Sequence, residues 1–140
     1  EIEIEHLKPE RLDRPLVGRT YEFGVNDCFS LVQSYYKEFD IKMPRLAFEE
    51  DWWDKGLDYF GDLWEQYEGW NEVDDGSLQK HDLLYFNIMS DVPNHCGVYL
   101  GDDLILHHMV GRISSRELLY PFWGKHKTKI LRNEKCKQYI

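Results

Sequence analysis

Asn94-His95-Cys96-Gly97-Val98-Tyr99-Leu100-Gly101-Asp102-Asp103-Leu104-Ile105-Leu106-His107-His108 decides the fold, because it sets two apolar runs of strand length on either side of a Gly-Asp-Asp turn. Runs this short, bounded by turn residues, read as strands, and so brief a connection makes the pair antiparallel. The register matters for chemistry as well as architecture. With all three turn residues in the loop, Leu100 opposes Leu104 and Gly97 opposes His107. His95 and His107 then share a face in diagonal positions, roughly 7–8 Å apart at the backbone. A two-residue loop would place His108 opposite His95, since a one-residue slip turns every side chain to the other face. Gly comes first in the turn, not in the Asn-Gly or Asp-Gly order of a two-residue type I′ turn, so the three-residue loop is expected.

Working outward, residues 82–89, 96–100 and 104–110 are short, apolar and separated by turn signals, and are read as strands. Upstream, Leu31, Val32, Tyr35, Tyr36 and Phe39 recur at the three- and four-residue spacing of one helix face, starting near Cys28 and fading near Asp40 before Met43-Pro44. Asp27 or Asn26 is the candidate cap. The aromatic stretch 48–70, with Trp52, Trp53, Trp64 and Trp70, is broken by Gly56 and Gly61 and is read as short helices whose rings pack in the core. Helices first and antiparallel strands second define an α+β fold with N-terminal helices packed on a C-terminal antiparallel β-sheet. Residues 1–20, punctuated by Pro9, Pro15 and Gly18, form a leading arm or linker. The opening Glu-Ile-Glu-Ile-Glu without Met reads as a fragment or a processed product. Residues 126–140 read as a solvated, Lys-rich C-terminal tail.

At 140 residues with 42% hydrophobic and 31% charged composition, the chain has the make-up of one folded domain. Seventeen basic against 26 acidic residues give a formal net charge of −9 with no basic stripe, which disfavours nucleic acid and anionic membranes as partners. No apolar stretch is long enough for membrane insertion as a spanning helix. Three cysteines without a CxxC pair support neither a disulfide framework nor a structural zinc module.

Asn26-Asp27-Cys28-Phe29-Ser30-Leu31-Val32 places a thiol at the start of a helix, where the positive end of the dipole stabilises an anionic nucleophile. Most cysteines are small buried hydrophobes, so Cys28 alone carries little. The histidines of the hairpin change this. An activated cysteine needs a base for its proton and a third group to orient that base; Cys28, His95 and His107 supply those parts in that order. The same three side chains are chemically able to bind zinc, but the nucleophile reading fits the helix-start cysteine better. Cys96, directly after His95, points to the opposite face of the strand and into the core.

The motifs Tyr21-x-x-Gly24, Asp27-Cys28-x-x-Leu31-Val32, Asp82-Leu83-Leu84-Tyr85-Phe86, His95-x-Gly97-Val98-Tyr99-Leu100-Gly101 and Leu104-x-Leu106-His107 together resemble the NlpC/P60 family of papain-like cysteine peptidases. Asp51-Trp52-Trp53, Pro93-Asn94-His95, the run from His107 to Arg116, Tyr120 and Trp123 resemble the phage tail-assembly branch of that family. Several motifs in fixed order are more specific than any one. The resemblance implies a papain-like peptidase domain over residues 21–125 that needs no cofactor. It implies an enzyme that cuts peptidoglycan stem peptides, typically between D-glutamate and a diamino acid. It also implies neighbours among other phage tail-tip proteins, and a metalloprotease-like domain ahead of this one in proteins of the type. Cys28 would be the nucleophile, His95 the base and His107 the orienting residue. Tyr21 would contact the oxyanion or substrate with the Cys28 N–H, and Asp27 the free amine of the stem. Two departures stand out: Phe29-Ser30 follows Cys28 where many members have Ser-Gly, and His81-Asp82 stands where Gly-Asp is usual. Phe29 is expected to reshape one wall of the cleft.

Overall fold

The computed structural model describes residues 15–43, 60 and 68–139. Among them are one α-helix, α1 (Cys28–Lys37), and six strands: β1 (Trp70–Glu72), β2 (Leu83–Phe86), β3 (His95–Gly101), β4 (Leu104–His107), β5 (Ser115–Leu118) and β6 (Lys127–Asn133). The strands form one sheet in the order β1-β6-β2-β3-β4-β5, antiparallel at every seam. The expected α+β architecture is the observed one. Asp51, Trp52, Trp53 and Trp64 lie outside the described residues, as do most of the short helices read in 48–70; Trp70 is a strand residue, buried edge-on to Tyr36 with ring centroids 5.0 Å apart.

α1 starts where it does because Asp27 and Ser30 cap it reciprocally. The Asp27 carboxylate accepts the Ser30 N–H at 2.9 Å, and Ser30 Oγ accepts the Asp27 N–H at 2.8 Å. Its apolar face, Leu31, Val32, Tyr35 and Tyr36, packs on Leu83, Tyr85, Cys96, Val98, Leu106 and Leu131. On the other face of the sheet, Leu84, Phe86, Ile105, Leu119, Trp123 and Ile130 form a second apolar cluster. Both faces of β2 are therefore covered, which is why Leu83-Leu84-Tyr85-Phe86 is an uninterrupted buried run rather than an alternating one. Each such leucine stabilises the fold by roughly 1.5–3 kcal/mol on burial.

The hairpin pairs Gly97 with His107, Val98 with Leu106 and Tyr99 with Ile105, as expected, but the loop differs. Gly101 pairs with Leu104, leaving a two-residue turn of Asp102 (φ 52) and Asp103 (φ 63), and the register shifts between Tyr99 and Gly101. A tight turn plus a one-residue bulge thus restores the register that a three-residue loop would give. Aspartate tolerates the left-handed region, so Asp102-Asp103 builds the turn that a glycine-centred reading misses.

Two further expectations are corrected. The Lys-rich segment expected as a solvated tail instead supplies β6, inserted between β1 and β2, and beyond it Cys136 is buried against the helix-side core. The strands read over 82–89 and 104–110 stop at Phe86 and His107. After Phe86 the Asn94 side chain bonds both polar groups of the Ile88 backbone, accepting its N–H at 2.8 Å and donating to its carbonyl at 3.0 Å, so a side chain replaces a strand partner. The last residues of the leading arm are anchored. Ser114 Oγ accepts the Arg19 N–H at 2.8 Å and donates to the Leu16 carbonyl at 2.7 Å, while Gly18 N–H donates to the Ser114 carbonyl at 2.8 Å.

Candidate active site

A backbone loop brings the chain from Tyr21 to the helix start. Glu22 and Asn26 exchange two N–H···O bonds of 2.8 Å, and Gly24 turns at φ 82, a left-handed value that suits glycine. The Gly24 N–H donates to Asp27 Oδ2 at 2.8 Å. Asp27 is thus buried and engaged by two backbone donors, which hold the Tyr21 loop and Cys28 in fixed relation.

A cavity of about 340 Å³ opens at this point, lined by Tyr21, Asp27, Cys28 and Phe29 from the helix side and by His95 and His108 from the hairpin, with Met89, Met109 and Val110 among its other walls. That volume suits a short peptide or small ligand. Cys28 is the first residue of α1 and half-buried; His95 is the first residue of β3 and buried. Four of the five residues singled out for the site, Tyr21, Asp27, Cys28 and His95, line one cavity. The fifth, His107, stands behind His95 with Nδ1 2.9 Å from His95 Nε2. Phe29 does form part of the wall, held by a stacked contact with Phe60 at 5.9 Å between centroids.

The electrostatics follow from burial. His95 is held well below the usual imidazole range, first by desolvation and then by the neighbouring histidines His107 and His108. Trp123 and Phe86 enclose it, with ring centroids 5.7 and 5.6 Å away. His107 is lowered by the same desolvation, against the pull of Glu117, whose Oε1 lies 2.7 Å from His107 Nε2. Above about pH 6.5 the lowered imidazole is neutral, and this contact is a neutral N–H donating to a carboxylate rather than an ion pair. Burial pushes the Cys96 thiol well up, and a hydrogen bond with Cys28 adds to it. Cys96 faces the helix-side core, as the alternation of β3 requires, and so lies beside the Cys28 sulfur.

Two residues of this site stand outside the expected set. Glu117 sits on β5, two residues beyond Ser115, the partner of His107, and so on the same face as that histidine; its polar sequence carries no strand signal. His108 follows His107 on the opposite face, the face of α1, and reaches the cavity from that side. Its Nε2 lies 2.9 Å from the Arg112 carbonyl and Tyr21 meets its ring edge-on at 5.2 Å. Among the described residues no three His, Cys, Asp or Glu side chains converge as a metal site.

A cysteine at the start of a helix packed on an antiparallel sheet, sharing a cavity with one histidine that a second histidine of the adjoining strand bonds from behind, defines an α+β protein of papain-like fold. Residues 18–132 match the model of the NlpC/P60 family, and the chain belongs to that family. It is 35% identical over 118 residues to tail tip assembly protein K of Escherichia phage lambda, covering 84% of this chain and 59% of that protein. It is 30% identical to tail tip assembly protein K of Escherichia phage N15, covering 99% of this chain and 59% of that protein. The chain thus spans somewhat over half the length of the curated relatives it matches. Among solved structures, an NlpC protein of Trichomonas vaginalis superposes with a TM-score of 0.60 at 19% identity, covering 89% of this chain and 43% of the other. RipD of Mycobacterium tuberculosis, described as a non-catalytic NlpC/P60 domain protein adapted to peptidoglycan binding, superposes with a TM-score of 0.50 at 20% identity, covering 84% of this chain and 77% of the other. These structural likenesses speak for the fold.

Proposed function

We propose that this domain is a cysteine peptidase of a phage tail tip that hydrolyses peptide stems of peptidoglycan, at the D-glutamyl-diamino acid bond. The observation that carries the reading is the shared cavity of Cys28 and His95, with His107 bonded to the back of the His95 ring at 2.9 Å. In the first half-reaction Cys28 Sγ attacks the scissile carbonyl and His95 takes the thiol proton. The proton then passes to the leaving amine as the carbon–nitrogen bond breaks, leaving a thioester that water hydrolyses with His95 again as base. His95 Nε2 is taken up by His107, so Nδ1 is the nitrogen available for this transfer. His107 orients the ring. The Cys28 N–H, unpaired within the first helical turn, and Tyr21 in the cavity wall serve the developing oxyanion or the substrate. Asp27 faces the same space and suits the free amine of a stem peptide. The tail-tip setting is drawn from the two phage relatives; it implies synthesis in the bacterial host, action at the cell wall, and contacts with other tail proteins.

A second reading is a catalytically silent structural or assembly module of the tail tip, and the non-catalytic description of RipD favours it. One experiment separates the two. Purified sacculi are digested with the wild-type domain and with Cys28→Ala, and released stems are followed by mass spectrometry. The peptidase reading expects diamino-acid-terminated fragments from the wild type alone; equal product from both proteins supports the silent module.

A further inference from the structure

Glu117 belongs to no motif of the resemblance, yet it ends a chain of hydrogen bonds that begins at the cavity. Its Oε1 lies 2.7 Å from His107 Nε2, and His107 Nδ1 lies 2.9 Å from His95 Nε2. Each neutral imidazole carries one N–H and one bare nitrogen, and a carboxylate can only accept. An ionised Glu117 therefore requires the proton of His107 on Nε2. His107 is then bare at Nδ1 and accepts from His95, which fixes the His95 proton on Nε2 and leaves His95 Nδ1 bare. His107 is 1% exposed, so bulk water does not offer its ring a substitute partner.

The surroundings hold this order in place. Trp123 crosses the His107 ring at 4.5 Å between centroids, and its indole N–H donates to Glu117 Oε2 at 3.4 Å. Arg112 Nη1 stands 3.5 Å from Glu117 Oε1. The carboxylate is kept below its ordinary range: burial pushes it up, but the bonds from His107 and Trp123 and the Arg112 charge outweigh that.

We infer that Glu117 is a positioning residue that sets the tautomer of His95 from two hydrogen bonds away, through His107, so that a bare Nδ1 rather than an N–H is presented on the Cys28 side. This rests on the reading of His95 as the base. Without the carboxylate, His107 is free to carry its proton on Nδ1. That proton would point at His95 Nε2, force the His95 proton onto Nδ1, and leave the ring unable to accept from a thiol. The loss of an orienting carboxylate in a Ser-His-Asp site has the same logic.

The test reads the tautomer directly, so it does not depend on peptidase activity. Two-bond ¹H–¹⁵N spectra of ¹⁵N-histidine-labelled domain near pH 7.5 are compared for wild type, Glu117→Met and Glu117→Leu. Methionine is close in length and shape, offers no carboxylate or amide acceptor and keeps the site filled, so it guards against a folding failure of the leucine variant. The wild type is expected to show both His95 and His107 protonated at Nε2. In the variants, signal from His95 protonated at Nδ1 should appear. With any substrate the wild type cleaves, kcat should fall at least roughly tenfold while KM stays within about twofold. A wild-type His95 protonated at Nδ1, or folded variants with an unchanged His95 tautomer, would overturn the inference. If the tautomer shifts as expected but wild type releases no stems, the positioning role stands and the peptidase reading fails.

Discussion

Gly97 stands directly opposite His107 across the β3–β4 seam, and a Cβ placed on Gly97 would lie 2.9 Å from the Leu106 carbonyl oxygen and 3.1 Å from His107 Cβ. The nearer atom is backbone, so it cannot swing away as a side chain would. Gly97→Ala is expected to push β4 from β3 and displace the His107 ring from its 2.9 Å contact with His95. Such overpacking costs about 1–3 kcal/mol, and a displacement of about 1 Å in a positioned group can cost up to roughly 10²-fold in rate. Urea denaturation together with stem release from sacculi measures both effects. An alanine variant as stable and as active as the wild type would contradict this account of the close approach.

Asp27 is expected to matter for folding before it matters for substrate. Its two oxygens accept from Ser30 N–H and Gly24 N–H at 2.9 and 2.8 Å. Asp27→Ala removes the cap, which is worth about 0.5–2 kcal/mol. Asp27→Asn keeps an acceptor for Ser30 but can turn an N–H₂ toward the Gly24 N–H, so an intermediate loss is expected. Chemical denaturation of both variants checks the order. Unchanged midpoints in both would mean the side chain serves substrate alone.

The hairpin and the helix were legible because their signals are local: alternation fixes which face His95, Gly97 and His107 share, and 3.6-residue spacing marks the buried face of α1. The rest was hidden for physical reasons. β6 reads Lys-Thr-Lys-Ile-Leu-Arg-Asn, whose two apolar residues look too few for an inner strand. Its lysines reach acidic partners, Lys127 to Asp75 at 2.5 Å and Lys129 to Glu72 at 3.5 Å, and these contacts are invisible in one dimension. β5, Ser-Arg-Glu-Leu, is a polar edge strand of the kind that discourages further pairing, and with it Glu117 escaped notice. His81, in place of the usual glycine, keeps φ 80; its backbone accepts from Tyr36 OH at 2.7 Å and its ring bonds Tyr35, which offsets the cost of the left-handed conformation. The expected register puts His107 and not His108 on the face of His95, yet a cavity at the ends of strands draws on both faces.

The inserted β6 makes a specific demand on Arg132. Its guanidinium grips the buried Asp82 carboxylate through two bonds of 2.8 and 2.7 Å, and Asp82 also accepts the Gln79 N–H at 2.8 Å. Arg132→Ala would leave that carboxylate buried without its charge partner, at a cost of about 3–5 kcal/mol. Arg132→Lys should recover only part of this, because an ammonium cannot reproduce the two-pronged contact. In Asp82→Asn/Arg132→Ala the loss should be smaller than the sum of the single losses, since the uncompensated charge is gone. Thermal and urea unfolding of the wild type, Asp82→Asn, Arg132→Ala, Arg132→Lys and the double variant tests the pattern, and strictly additive losses would contradict it.

Acidification should unfold the domain through its buried imidazoles. His95, His107 and His108 are each lowered below 6.5, chiefly by desolvation. Between that value and their folded values the unfolded chain binds protons that the folded chain refuses. Their contribution to stability is therefore complete above about pH 6.5 and is lost progressively as pH falls below it. Glu117, lowered below 4.5, keeps its own contribution until the pH passes under that value. Among the described residues, the loss between 6.5 and 4.5 thus belongs to these three histidines. The urea midpoint should be lower at pH 5.0 than at pH 7.5, and His95→Gln should flatten this difference by removing one buried titrating ring. Equal midpoints at the two pH values would refute the buried-imidazole account. The same lowered His95 places the acid limb of kcat/KM below pH 6.5, because the free base survives into mildly acidic solution.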